Sequence, residues 1–153
     1  MTSSPPRNIE IFDQITAYIL IRLYGSFPIS QNLCQDEIYR EVVQDCTDGN
    51  EAVEIYTSYI ASTLSFLSDE KFIQYDQNTS LMPSGPDYSG VRLTLKGLTL
   101  LGTVPKTVND TPQYSFIDLL KNSFKTGTKS ALSDIVKSLF MYAAKNISDS
   151  ITT

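Results

Sequence analysis

Any chemistry in this chain has to come from carboxylates, hydroxyls and two thiols, because its 153 residues include no histidine. That absence removes Ser-His-Asp arrangements, histidine general bases and histidine-containing zinc sites together. The carboxylate pairs Asp36/Glu37 and Glu51/Glu54 fall on predicted helix faces open to water, where nothing apolar would raise a pKa toward neutrality. Ser84-Gly85 and Ser89-Gly90 sit in a predicted loop with no base to activate a hydroxyl. No Gly-rich phosphate loop and no zinc-ligand spacing occurs. Cys34 and Cys46 bracket one predicted helix, whose rise sets them about 18 Å apart, too far for a disulfide. Both are read as buried thiols in a reducing compartment. The expectation is a non-enzymatic protein with no cofactor and no metal.

The elements that would carry these residues are organised around 50–101. Asp48-Gly49-Asn50 signals a turn, with Asn50 able to cap a helix. From there Val53, Tyr56, Ile60, Leu64 and Leu67 recur at helical spacing as one apolar face. Ile55, Tyr59 and Phe66 make a second stripe, while Glu51, Glu54, Thr57, Ser58, Ala61, Ser62 and Ser65 are left to face outward. A helix so apolar needs a second cover, either the C-terminal tail or another subunit. Phe72 to Tyr75 has strand composition, 76–90 reads as a loop, and Val91 to Leu95 alternates with period two like a half-buried strand. Thr94 can cap a short helix ending at Leu101, before Gly102 and Pro105.

Ahead of this stretch, a helix runs from Asn8 to about Tyr24 and stops at Gly25, with Ile9, Phe12, Ile15, Ile19, Leu20 and Leu23 on a broad face. Phe27-Pro28-Ile29-Ser30 reads as extended, and Gln35 to about Gln44 as a second helix with Ile38, Val42 and Cys46 on one side. After it come a linker over 103–114 and a helical extension over 115–147, where Leu132, Ile135, Val136, Leu139 and Ala143 share a stripe. Residues 1–7 and 148–153 read as disordered ends.

The order helix, short strand, helix, helix, strand, strand over 8–102, with Leu93-Thr94-Leu95-Lys96-Gly97 at the return strand, resembles the winged helix-turn-helix superfamily. The resemblance implies a mostly α fold of the α+β class with a small β-hairpin wing, here followed by C-terminal helices. It also implies that the brief first strand near Phe27–Ser30 joins the hairpin, and that 46–50 is the turn before the third helix. Members that bind DNA present that helix to the major groove and meet phosphates with Lys and Arg.

Charge argues against that use here. The chain is acidic, net −5 with a pI near 4.6. Residues 1–70 hold 3 basic and 11 acidic side chains; 71–153 hold 9 and 6, so the two parts should attract within or between molecules. Nothing basic lies between Arg40 and Lys71, so the counterion-release contribution to phosphate binding is missing from the third helix. Arg40, Lys71 and Arg92 are the candidate edge cations for nucleic acid. Lys121, Lys125 and Lys129 would form one basic face if their helix survives Gly127, and that face is read as solvated. The nine tyrosines and seven phenylalanines sit mostly at core spacing.

The sequence therefore predicts a regulatory or protein-interaction module on a winged-helix scaffold, self-associating or bound to another protein. Its interaction face would be Glu51, Glu54, Thr57, Ser58, Ser62 and Ser65. Its docking or self-association surface would be Ile55, Tyr59, Phe66, Leu132, Ile135, Val136 and Leu139. The alternatives are a DNA-binding transcriptional regulator with a C-terminal dimerisation helix, and an acidic nucleic-acid mimic that blocks a DNA-binding partner. No small-molecule ligand is expected. The longest apolar run, Ala17 to Leu23, is too short to span a bilayer and contains Arg22, and no basic-then-apolar leader is visible, so a cytoplasmic location is expected.

Overall fold

The computed structural model describes residues 5–46, 48–76, 80–82, 85–105, 113–127 and 129–152, of which 45, 80–82, 85–87 and 146–152 are described by backbone alone. The chain is mostly helical with a small antiparallel sheet, an α+β arrangement. Among the described residues the order is α1 (Arg7–Ser26), β1 (Gln31–Cys34), α2 (Gln35–Val42), α3 (Gly49–Glu54), a π turn (Ile55–Tyr59), α4 (Ile60–Asp69), β2 (Ile73–Gln74), β3 (Ser80–Met82), β4 (Gly85–Leu93), α5 (Leu95–Leu101), α6 (Phe116–Thr126) and α7 (Lys129–Thr152). A short 3-10 turn, Val43–Asp45, follows α2.

Strand β4 is the spine of the sheet. Asp87 is paired with Cys34 of β1 and with Ser80 of β3, so those two strands lie on opposite edges. β2 takes over the β3 edge further along, with Ile73 opposite Leu93 and Gln74 opposite Arg92. The hairpin is therefore longer than its composition suggested: backbone pairing begins at Gly85, inside the stretch read as a loop. Pairing is a tertiary gain that Pro and Gly content does not report. The residues 77–79 and 83–84 of that predicted loop lie outside the described residues. The first strand is also displaced. It begins at Gln31, after a cis Phe27–Pro28 peptide, and not at Phe27.

Helix boundaries show how local capping is decided. α1 runs through Gly25 to Ser26. The third helix is capped by Asp48, whose Oδ1 accepts from Asn50 N–H at 3.0 Å, so Asn50 is inside the helix and not its cap. Ser115 caps α6, accepting from Asp118 N–H. Gly127 ends α6 at a left-handed φ of 72°, a conformation that favours glycine. The Lys121, Lys125, Lys129 stripe is thereby broken: the first two are on α6 and the third opens α7. α7 continues to Thr152, beyond 147 where the sequence reading ends it.

Among the described residues the core is one cluster drawn from α1, β1, α2, the π turn and α4, β2, β4 and α5–α7. Ile11, Ile15, Ile19, Leu20 and Leu23 of α1 are buried against Leu64, Leu67, Leu120, Val136 and Leu139. The C-terminal helices thus pack within the same chain. Phe140 of α7 is the knob: its ring lies 5.8 Å from Phe12, 5.9 Å from Phe66 and 5.2 Å from Phe72. The contacts with Phe66 and Phe72 are edge-to-face and that with Phe12 is tilted; edge-to-face pairs add about 0.5–1.5 kcal/mol each beyond area burial.

The Leu-Thr-x-Lys-Gly segment has a structural role at the α4–β2 and β4–α5 junctions. Thr94 Oγ1 accepts from Gly97 N–H at 3.1 Å and donates to the carbonyl of Lys71. Lys96 Nζ donates to the Glu70 carbonyl at 2.9 Å, near the C-terminal end of α4, and sits 4.7 Å from the Phe72 ring centre. A Cβ at Gly97 would run into the Phe72 carbonyl oxygen. Thr94, Lys96 and Gly97 of this segment thus all meet the 70–72 junction that follows α4.

Candidate interaction surface

The outward face of the third helix depends on an irregularity. In a regular helix the N–H of Ile60 would go to Tyr56 O; here it goes to Ile55 O, one residue further back. The extra residue in that turn rotates everything N-terminal to it by roughly 100° relative to everything C-terminal. Ile55 and Ile60, five apart, consequently share the buried face, both 0% exposed. Val53, at the head of the predicted apolar stripe, is turned out and is 61% exposed.

The turn is held from outside. Gln35, buried at the start of α2, donates from Nε2 to Tyr56 O at 2.6 Å, and its Oε1 accepts from Tyr88 OH of β4 at 3.3 Å. Tyr56 OH donates to Asp36 Oδ1 at 2.8 Å, which raises the Tyr56 pKa. Its ring meets Tyr39 edge-on at 5.3 Å. Gln35 and Asp36 thus position the third helix, a role the sequence reading missed. The only sequence signal is that two polar residues open α2 next to each other.

The face that results carries Val53, Glu54, Thr57, Ser58, Ala61, Ser62 and Ser65, all exposed. Thr57 is partly spent on its own helix, donating from Oγ1 to Val53 O at 2.8 Å. Glu51 does not belong to this face. It is half-buried and holds Arg7 through two contacts, Nη2 to Oε1 at 2.7 Å and Nε to Oε2 at 3.0 Å. That pair joins the first turn of α1 to the first turn of α3 and holds the Glu51 carboxyl below its ordinary range. Both cysteines are half-buried, not fully buried as the sequence suggests; Cys46 Sγ donates to Glu51 Oε1 at 3.2 Å, and desolvation and this contact push its pKa up.

The proposed docking residues divide sharply. Ile55, Leu132, Val136 and Leu139 are buried in the chain's own core and offer no surface to a partner. Tyr59 and Ile135 are half-buried. Phe66, 42% exposed, keeps an open edge beside Phe12 and Phe140. Of the second stripe, which the sequence leaves to be covered by the tail or by a subunit, Ile55 is buried in the chain's own core, Tyr59 is half-buried, and Phe66 meets Phe140 of α7 on one side while staying exposed on the other.

The three edge cations are exposed and stand on different segments. Arg40 ends α2. Lys71 follows α4 with a positive φ of 68°. Arg92 stands on β4 opposite Gln74, in a polar hollow of about 430 Å³ that it shares with Asp76. A carboxylate in that hollow works against a phosphate there. On α1, Arg22 is occupied by Glu37 at 2.7 Å and Tyr18 at 2.8 Å.

Among the described residues no group of three or more Cys, Asp or Glu side chains could hold a metal ion. Among the same residues no helix is long and apolar enough to cross a membrane. No protein-family model matches the chain, and no curated protein and no solved structure matches it.

Proposed function

We propose that this chain is a non-enzymatic regulatory module on a winged-helix scaffold, with the third helix turned toward a protein partner. The scaffold reading is supported by element order and by the sheet: a short first strand and the outgoing arm of the hairpin flank the return strand β4. One observation carries the function. The exposed face of the third helix presents hydroxyls, Val53 and Glu54, and has no cation along its length. Such a face lacks the positive charge that supplies most non-specific affinity for a duplex. A surface of small hydroxyls around an exposed aliphatic side chain suits another polypeptide, where desolvation costs are small and complementarity decides specificity.

A different polypeptide suits the face better than a second copy of this chain. Self-association was expected from the surplus of apolar surface, and most of those residues are consumed inside the chain.

Fluorescence anisotropy with a labelled random-sequence duplex at low ionic strength tests the reading. No saturable binding is expected. Binding that weakens steeply with added salt, and that Arg40→Ala or Arg92→Ala diminishes, would replace this reading with that of a DNA-binding regulator.

A further inference from the structure

A cleft of about 630 Å³ lies between α1 and α7, away from the outward face of the third helix, and the protein-interaction reading leaves it unused. Its walls are largely apolar: Ile9 and Phe12 from α1, and Val136, Phe140 and Met141 from α7. Two polar groups break that lining. Asp13 is 4% exposed and its Oδ2 has no hydrogen-bond partner. Ser133, 9% exposed, lines the same cleft, and its Oγ is also unpartnered.

A buried carboxylate oxygen without a donor is costly, by several kcal/mol for an ion taken out of water and left unpaired. Packing gives no reason to place one among Ile9, Phe12 and Val136, where an aliphatic residue would serve. The cavity is far larger than one water needs and lies in the range of small-molecule sites. An apolar recess of that size holds two neighbouring polar groups, a carboxylate that can only accept and a serine hydroxyl that can accept as well as donate, and neither Asp13 Oδ2 nor Ser133 Oγ has a partner in hydrogen-bond geometry. The surrounding charge sets the sign of a ligand there. Asp13 and Asp134 line the cleft, Glu10 lies one turn before Asp13, and Lys137 opposes them at the rim.

We propose that this cleft binds a small organic cation, a protonated amine or amidinium carried on an apolar body. One N–H donates to Asp13 Oδ2 and a second to Ser133 Oγ, which satisfies both orphaned atoms. The body lies along Phe12, Phe140 and Met141, whose faces and polarizable sulfur tolerate an adjacent cation.

The probe pair is phenethylammonium and its neutral isostere 2-phenylethanol, titrated into the full chain at neutral pH with amide NMR shifts and calorimetry. The amine should bind saturably, perturb amides of α1 and α7 around Asp13 and Ser133, and bind about tenfold or more tighter than the alcohol. Asp13→Asn should remove that preference and leave the alcohol's affinity in place. Because Asp13 lies in a helix–helix contact, Ala144→Phe at the exposed edge of the cleft serves as a second variant: it should block the amine while circular dichroism stays unchanged. Equal affinity for the two probes, perturbation elsewhere than α1 and α7, or no saturable binding of the amine would overturn the proposal. These outcomes are independent of the duplex assay, since the cleft and the third-helix face share no residue.

Discussion

The N–H of Ile60 donates to the carbonyl of Ile55, five residues back, and this one contact decides which side of the third helix faces the core. It makes a sharp pair of expectations. Ile55→Ala removes a fully buried side chain and should lower stability by about 3 kcal/mol. Val53→Ala, on the residue that regular helical spacing would bury, should stay within about 0.5 kcal/mol of the parent. Urea denaturation of the two variants decides it; a larger loss for Val53→Ala would mean the helix is regular and the outward face is a different set of residues.

Gln35 is the outside support of that turn, so its removal should be felt there first. Gln35→Met keeps the volume but leaves Tyr56 O and Tyr88 OH without their partner. Stranding buried polar groups costs about 1–3 kcal/mol. Hydrogen exchange should show the amides of Tyr59 and Ile60 losing protection more than those of α1. Uniform loss of protection across the chain would mean that Gln35 serves general packing and not the turn.

How much of this was legible in the sequence follows from the range of the interaction involved. α1, α2 and α7 declare themselves through period, and α5 and α6 also through their Thr94 and Ser115 caps, because those signals are local. The Thr94 cap is read directly, and of the apolar face read on α1, Ile15, Ile19, Leu20 and Leu23 are buried while Ile9 at its head stays exposed. The π turn is not legible: a single inserted residue is stabilised by Gln35, twenty-one positions away from Tyr56, and no window over 50–68 contains that partner. Strand pairing at Gly85–Asp87 is only partly a matter of range: Cys34 is distant, whereas Ser80–Met82 lie in the same stretch, whose Pro, Gly and Asp content reads as loop. Glu51 looked like surface charge because Arg7 is forty-four residues away. Asp13 did leave a trace, a lone carboxylate among Ile9, Phe12, Ile15 and Thr16 on the apolar face of the first helix. An acid placed there is a better pointer to a site than the carboxylate pairs on exposed faces.

The glycine in the Leu-Thr-x-Lys-Gly segment predicts opposite outcomes for one substitution at two places. Gly25 lies inside α1 with open space where a Cβ would go, so Gly25→Ala should stabilise by about 0.5–1 kcal/mol through helix propensity. Gly97 is also helical, yet its Cβ would strike the Phe72 backbone carbonyl. Gly97→Ala should therefore destabilise by about 1–3 kcal/mol, with the α4–β2 junction forced to move. Thermal melts of both variants test the contrast, and stabilisation by Gly97→Ala would show that α5 does not approach Phe72 so closely.

Asp13 and Glu51 should shape the pH dependence of stability in opposite directions. Burial first, moderated by the nearby Ser133 hydroxyl and increased by the Glu10 charge, pushes Asp13 up to about 6 from an ordinary 3.8. The native state then holds that proton more tightly than the unfolded chain does. The associated stability is complete below pH 3.8 and is lost as pH rises through about 6, on the order of 1–2 kcal/mol after solvent screening. Asp134 and Lys137 at the same cleft temper the effect without changing its sign. Asp13→Asn should therefore be more stable than the parent at pH 7 and indistinguishable from it near pH 4. Glu51 is the reverse case. Its hydrogen bond to Arg7, then that from Cys46, holds its pKa below the ordinary 4.5, so its contribution is present above that value and fades as pH falls through the lower native one. Glu51→Gln should lose stability at neutral pH and converge on the parent under acid conditions. Melting temperatures of the three proteins between pH 3 and 8 separate these effects, and parallel curves for parent and Asp13→Asn would show that the Asp13 carboxylate is already satisfied.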